Sequence, residues 1–556
     1  MSRWEDWDRE HGTLPTPATD YSQWPAGYSI LLNEKIMHPE DLSLWKMKLD
    51  CKRQLFVDDY LIAHNSGVQR QMHAVDKHPA NPLFKDDWPL YFHRDDEGFR
   101  VYSKTFKSTS CVRLSYSQDG IHWQDPELNV CDLSHDPQGY RAGPNNVVQP
   151  RGQMHGLFFE PDDPEPQRCW KMILGGHRRP KPVAWPYLKK QGGFYKNGEY
   201  VELSSKYVRQ EEFPEQVSFY ELHTSEDGIK WTYETDTSLQ KSQSHVYTPL
   251  HRPLGIGDVL NTRWDPVLNK YIAHGKCFIG PDFRFQPCNE TRAVLWSESD
   301  DLIHWGSPRI YAYPDMKDAQ TFGMYGIYEA NGWPYESMWL GCLSMTAYFP
   351  HPNTDWITKK NWIVLAGSRD GHTWFYLGDR QPFIPNGPGD SWDAHYIRVS
   401  NSSNSGAPLL QDDKLWFYYY GNYGGTTDFS GLERSDKSRW QFAGGLGTLR
   451  RDGFASLNAN ANPGLVITRP FVFSGEGNLH INADVANGGY VKVAVLAEDA
   501  SELPAFEETN CNGITSDTTE GGISWKQREN LGQLKGRYIR MAFHLRQAKL
   551  YSFWID

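Results

Sequence analysis

The 556-residue sequence predicts an all-β chain, a five-bladed β-propeller followed by a C-terminal β-sandwich, and three observations carry that prediction. The first is a repeated phrase. Ser117-Gln118-Asp119-Gly120-Ile121-His122-Trp123 returns as Ser225-Glu226-Asp227-Gly228-Ile229-Lys230-Trp231 and as Ser368-Arg369-Asp370-Gly371-His372-Thr373-Trp374. Ser299-Asp300-Asp301-Leu302-Ile303-His304-Trp305 repeats it without the glycine, and Ser435-Asp436-Lys437-Ser438-Arg439-Trp440 is a worn fifth copy. Asp-Gly suits a tight turn because glycine takes positive φ cheaply, and the tryptophan anchors the strand that follows. The second observation is spacing. The tryptophans at 123, 231, 305, 374 and 440 stand 108, 74, 69 and 66 residues apart, one propeller blade each with an insertion in the second. The third is texture. Aromatic residues make up 14% of the chain, and long helical runs are missing.

Taken in order, residues 1–50 read as an N-terminal extension, 51–445 as the propeller and 446–556 as the sandwich. The stretch Arg53–Ile62 is an apolar strand with Asp58 and Asp59 in its middle; burying either without a partner would be costly. Blade 1 opens at Asn81 and turns at Asp95–Gly98. Blade 2 opens at Tyr140–Val148 and carries an insertion over 175–214, whose basic residues read as a solvated loop. Blade 3 opens at Gly257 and turns at Asp265-Pro266. Blade 4 opens at Asp318 and turns at Ala330-Asn331-Gly332. Blade 5 opens at Ser391 and turns at Gln411–Lys414. Beyond about residue 442, Tyr490–Leu496 and Tyr538–Phe543 alternate polar with apolar residues, as half-buried strands of a sandwich do.

Composition narrows the function classes. A net charge of −12, with both signs interspersed, argues against nucleic acid and against an anionic membrane surface as partners. No apolar run approaches a membrane span, and the acidic start Met1–Asp8 lacks a signal-peptide core, so the sequence as given reads as cytoplasmic. The eight cysteines show no zinc-type spacing and read as reduced and buried.

In a propeller the innermost strand of each blade lines the axis and ligands bind where those strands begin, so the residues several positions before each hairpin turn are the candidates for chemistry. That slot holds Asp87, Asn145-Asn146, Asp258, Asp318 and Asp393-Ala394-His395. Converging carboxylates raise one another's pKa, which lets one act as an acid while another stays ionised, as glycoside hydrolysis requires. Trp88, Tyr325 and Trp392 could stack on a sugar face. Arg141, Arg263 and His395 could bind an anionic group, and each is as easily a structural partner. No essential metal is expected, although His395 beside Asp393 would allow a water-mediated structural cation in the axis. Glu329 and Glu336 fall close to the expected blade 4 hairpin, away from the axis.

The chain resembles the five-bladed-propeller glycoside hydrolases with a C-terminal β-sandwich, the group of invertases, fructanases and arabinan-cleaving enzymes, most of all its divergent bacterial family 32-like branch. The phrases carrying the resemblance are Leu55–Tyr60, the repeated Ser-x-Asp-Gly-x-x-Trp, Leu449–Phe454, Thr468-Arg469-Pro470 and Ala548–Phe553. The resemblance implies a nucleophilic aspartate near the N-terminus, matched in order by Asp58 or Asp59, with Asp59 taken as catalytic and Asp58 as substrate-binding. It implies a second, substrate-holding aspartate, matched by Asp258. The invertase Glu-Cys-Pro acid phrase is missing, and Asp318 is the substitute acid. The implied function is a glycosidase cleaving a small or terminal glycan, with carbohydrate as partner and an oligomer left open. The alternatives are a non-hydrolytic glycan-binding propeller, or a phosphorylase using one carboxylate and a basic cluster.

Overall fold

The computed structural model describes residues 31–32, 46–105, 111–131, 133, 145–150, 152–175, 193–196, 199–202, 218–241, 259–279, 291–306, 308–312, 314, 318, 324–350, 357–389, 391–423 and 442–556. Those from about residue 76 to 450 form a five-bladed propeller. From the axis outward, blade 1 is Asp87–Asp95, Gly98–Thr105, Val112–Ser117 and Val147–Gln149. Blade 2 is Met154–Phe159, Trp170–Gly175, Ser218–Ser225 and Thr232–Lys241. Blade 3 is Leu260–Asp265, Lys270–Ile279, Thr291–Ser299 and Arg309–Ala312. Blade 4 is Met324–Tyr335, Met338–Pro350, Ile357–Ser368 and Trp374–Tyr376.

Blade 5 runs Tyr396–Val399, Lys414–Asn422 and Phe442–Arg450, and its outer edge is completed by Asp76–Lys77 and Phe84–Lys85 from the start of the ring. The first and last blades are thereby stitched together, which removes the open edges that a free sheet would expose. Asn401–Ser402 adds a parallel pairing to the inner strand of blade 1. Val147–Gln149, expected to open blade 2, is instead the outer strand of blade 1, because strand texture alone does not say which blade a strand borders.

The repeated phrase closes the third strand of blades 1 to 4. In each copy the serine hydroxyl donates to the aspartate, whose Oδ1 accepts two backbone N–H groups of the turn, as in Ile121 N (2.9 Å) and His122 N (2.8 Å) to Asp119. These are Asx-type turns, with the side chain standing in for a backbone acceptor. The turns also join the blades. Tyr102 of blade 1 donates to Gly228 O at 2.9 Å, and Tyr418 of blade 5 donates to Gly120 O at 2.8 Å.

The C-terminal strands form one ten-stranded sheet with Met47–Leu49, Gln54–Leu55, Ile62–Ser66 and Gln69–Met72. Its spine is the pairing of Leu479–Ala497 with Ile539–Ile555, interrupted between Val485 and Tyr490. Inward residues from both halves of these long strands, Leu479 and Val495 among them, share one apolar cluster, so the sheet curls over its own core. We propose that the propeller unit begins near residue 76, where the chain leaves this sheet. Cys51, expected to be buried, is exposed there.

The junction between sheet and propeller is polar and buried. Asp452 accepts from Arg53 (2.9 Å), Tyr335 (2.8 Å), Ser552 (2.6 Å) and Asn482 (3.1 Å). Asp58, 1% exposed, accepts from Arg369 Nη2 (2.6 Å) and Nε (3.1 Å). Burial works against the charge of Asp58, and Arg369 holds its carboxyl below the usual carboxylate range. A buried ion of this kind persists only because its hydrogen bonds are complete.

Candidate functional site at the propeller axis

Four inner strands bring a charged and aromatic cluster together near the axis. Glu329 stands in the inner strand of blade 4 and Arg398 in that of blade 5, 3% and 4% exposed. The Arg398 guanidinium donates from Nε and Nη2 to the two oxygens of Glu329. Asn261 of blade 3 donates to Glu329 Oε1 at 2.6 Å and to Asn331 Oδ1 at 2.5 Å, and itself accepts from Asn401 at 3.3 Å. Burial opposes the charge of Arg398, and the Glu329 carboxylate more than offsets it, raising the arginine pKa.

Aromatic rings enclose this pair. Trp88 stacks on Tyr396 at 5.6 Å and lies 5.1 Å from Tyr420, while Tyr328 meets Tyr396 edge-on at 5.9 Å. Trp88 Nε1 donates to Gly421 O at 3.0 Å, which fixes the indole. Burial raises the pKa of Tyr396 and Tyr420 well above the usual phenol value, so both hydroxyls are neutral. The Arg398 guanidinium lies 5.8 Å from the Tyr328 ring and 5.4 Å from the Tyr420 ring. From blade 3, Lys276 and Arg292 approach the Tyr328 ring at 4.6 and 5.7 Å.

A loop of blade 5 crosses the far end of the axis. Ser403 N donates to Phe92 O (2.6 Å), Asn404 N to Leu157 O (2.9 Å) and Trp264 N to Asn404 O (2.8 Å), so one loop of blade 5 ties together the inner strands of blades 1, 2 and 3. The Asn404 side chain pairs with the backbone of Phe159 through both its amide atoms, at 2.7 and 2.9 Å.

Of the residues singled out in the sequence, Trp88 joins the cluster. Asp87 heads the blade 1 inner strand, where Arg113 pairs with it and with Asp125. Asn146 accepts from Arg113 Nε (2.9 Å) and donates to Leu114 O (2.8 Å), and Asn145 accepts from Val147 N (3.1 Å), so both brace the outer edge of blade 1. Asp59 is 54% exposed and pairs with Arg70 on the surface, and Asp58 is committed to the junction, so the axis holds neither. Asp318 is buried against Arg380 (2.8 Å) and Tyr376 (3.0 Å), beside the outer strand of blade 4. Arg263 is held by Asp265 at 2.7 Å, at the hairpin. Asp393 accepts from Lys77 (2.5 Å) and Tyr419 (2.9 Å), and Trp392 stacks on Tyr419 at 5.3 Å. His395 packs 4.9 Å from the Tyr423 ring, and burial lowers its pKa. Arg141, Asp258 and the Tyr325 side chain lie outside the described residues.

Glu329, read in the sequence as close to a hairpin, is in the axis because the inner strand of blade 4 is longer than its turn signals suggest. Asn331-Gly332 is strand, and the chain turns at Glu336-Ser337. Gly332 is there for packing: a Cβ at that position would lie 2.6 Å from the Trp374 ring, and one at its cross-strand partner Gly341 would lie 2.7 Å from it. Arg398 was missed as well. Its available signal was a charge flanked by Ile397 and Val399 in an otherwise apolar strand, where an ion needs a partner.

The chain aligns at low identity with glycoside hydrolases of known structure. A Bacillus subtilis family 43 arabinoxylan arabinofuranohydrolase, crystallised with cellotetraose, aligns over 87% of this chain and 99% of its own, at 10% identity and a TM-score of 0.37. A structure from the family 130 mannoside phosphorylases, described as containing hydrolases of β-1,2 mannosidic linkages, aligns over 68% and 94% at 12% identity and a TM-score of 0.36. A Bombyx mori family 32 β-fructofuranosidase aligns over 86% and 94% at 8% identity and a TM-score of 0.34. The blade pairings described above, rather than these distant likenesses, define the fold. No family model and no curated protein matches the sequence.

Proposed function

We propose that the protein is a glycosidase acting on a small or terminal glycan at the axis. The observation that carries this reading is the Glu329–Arg398 pair, buried inside a cage of Trp88, Tyr328, Tyr396 and Tyr420. A buried ion pair is seldom a gain in stability over apolar residues of similar volume, so its presence at a convergence of strands points to chemistry. Aromatic faces suit the C–H faces of a sugar ring, and an ionised carboxylate suits the positive charge that develops at a glycosidic carbon. In this reading Glu329 is the charge-stabilising or nucleophilic carboxylate, with Arg398 and Asn261 holding it. Asp258, two residues ahead of the blade 3 inner strand in the sequence, is the candidate second carboxylate. The blade 5 loop that crosses the lower end of the axis favours short or terminal substrates over chains that thread through.

One observation favours a second reading. Lys276 and Arg292 place two further cations beside Tyr328, as a phosphorylase would need to hold inorganic phosphate. Both readings are tested together by incubating a panel of synthetic glycosides and oligosaccharides with and without inorganic phosphate and identifying the products. Free sugar in both conditions supports the hydrolase. Sugar phosphate formed only with phosphate present supports the phosphorylase. Neither product across the panel would contradict catalysis on glycans.

A further inference from the structure

We propose that a cleft between the C-terminal sheet and the lower hairpins of blades 3 and 4 is a second, non-catalytic site that seats one neutral sugar unit. The proposal rests on the glycan reading of the axis and adds a place where the same kind of molecule is held. The cleft has a volume of about 280 Å³, near the lower end of the range for small-molecule sites, which suits one or two rings.

Its walls are rigid. Asp58 ties Arg369 on the propeller side to the sheet side, and the ring of Tyr60 is flanked by the guanidinium groups of Arg369 at 4.6 Å and Arg469 at 4.5 Å. Tyr60 lines the cleft with its ring held between these cations and the sheet. The apolar lining comes from Leu49, Pro334, Met338 and Trp339, with Val267, 49% exposed, at the lip. Such a surface matches the C–H face of a pyranose or furanose ring.

The polar lining matches hydroxyl groups. Ser337 lines the cleft, and its Oγ atom, buried in the wall, has no hydrogen-bond partner among the described residues. Lys48 lines the cleft, is exposed and makes no ion pair among the described residues, so its three donors are available to a ligand there. The carboxylates are already engaged. Asp50 accepts from Lys52 N at 3.1 Å, and Glu336 accepts from Arg53 N at 3.1 Å. Arg369 is neutralised by Asp58. With the charges so nearly balanced, a hydroxyl-rich neutral ligand fits better than a polyanion.

The test is a calorimetric titration of the full chain with neutral trisaccharides of glucose, mannose, arabinose or fructose. It compares wild type with Val267→Arg, Lys48→Ala and the axial double variant Glu329→Leu/Arg398→Met. All the cleft changes are at exposed positions away from the axial machinery. Two sites per chain for one probe are expected. Val267→Arg should weaken one of them at least tenfold with turnover unchanged, and the axial variant should retain that same site. A single site, lost in the axial variant and indifferent to Val267→Arg and Lys48→Ala, would overturn the cleft and leave the axial reading standing. Binding of no probe at either place would overturn both.

Discussion

Arg398 of blade 5 clamps Glu329 of blade 4 through two parallel hydrogen bonds, with both side chains removed from water. Removing one partner strands the other as a lone buried ion. Glu329→Leu or Arg398→Met alone is expected to cost about 3–5 kcal/mol, whereas the double variant should recover most of that loss. Urea unfolding of the three variants checks this. A double variant as unstable as the worse single one would show that the pair is a net source of stability.

His93 gives a pH dependence of defined sign. Burial drives its pKa down to about 4 from the ordinary 6.5; Asp95 at 3.4 Å opposes the shift and Arg100 adds to it. Between those two values the unfolded chain binds the proton and the folded chain does not. Stability is therefore full above about pH 6.5 and falls as pH drops towards about 4, by up to about 3 kcal/mol from this group. His93→Gln should flatten that part of the profile in unfolding measured at pH 7.5 and 5.0. Parallel profiles for the two proteins would contradict the assignment.

Leu302 occupies the position that glycine holds in the other turns, at φ +66°, and is fully buried. The left-handed backbone costs a leucine about 1–2 kcal/mol, and deleting a buried leucine side chain costs about 2–5 kcal/mol. Leu302→Gly is thus expected to destabilise the protein despite restoring the consensus of the repeat. A raised melting temperature in the variant would reverse that balance.

Asn404 separates two contributions at the far end of the axis. It sits at φ +62° and satisfies both backbone groups of Phe159. Asn404→Ala loses these hydrogen bonds, for about 1–3 kcal/mol, and adds the left-handed penalty. Asn404→Gly loses the same bonds without that penalty. The glycine variant should unfold at the higher denaturant concentration, and the opposite order would mean that backbone strain is not felt there.

The fold was legible because the blade turn is written in residues whose chemistry is local. Ser, Asp and Gly make the turn among themselves, and the following Trp marks where the next strand begins. The axial site was not legible, for two physical reasons. Gly332 looks like a turn residue but makes room for Trp374, which displaced the expected hairpin and hid Glu329. The clamp also joins residues 69 positions apart in different blades, and no local pattern encodes such a pairing. The phrases behind the family resemblance mark the junction instead: Asp58, Asp452 and Ser552 hold sheet and propeller together. That is why Asp58 and Asp59 carried the appearance of catalysis without being in the axis.

The most direct test of the axial site is glycoside turnover by the Glu329→Leu/Arg398→Met double variant, assayed where its stability equals that of the wild type. Loss of a charge-stabilising carboxylate should reduce kcat/KM by about 10³-fold or more. Turnover within a few-fold of wild type, with the fold intact, would show that the Glu329–Arg398 pair is structural and that the chemistry lies elsewhere in the molecule.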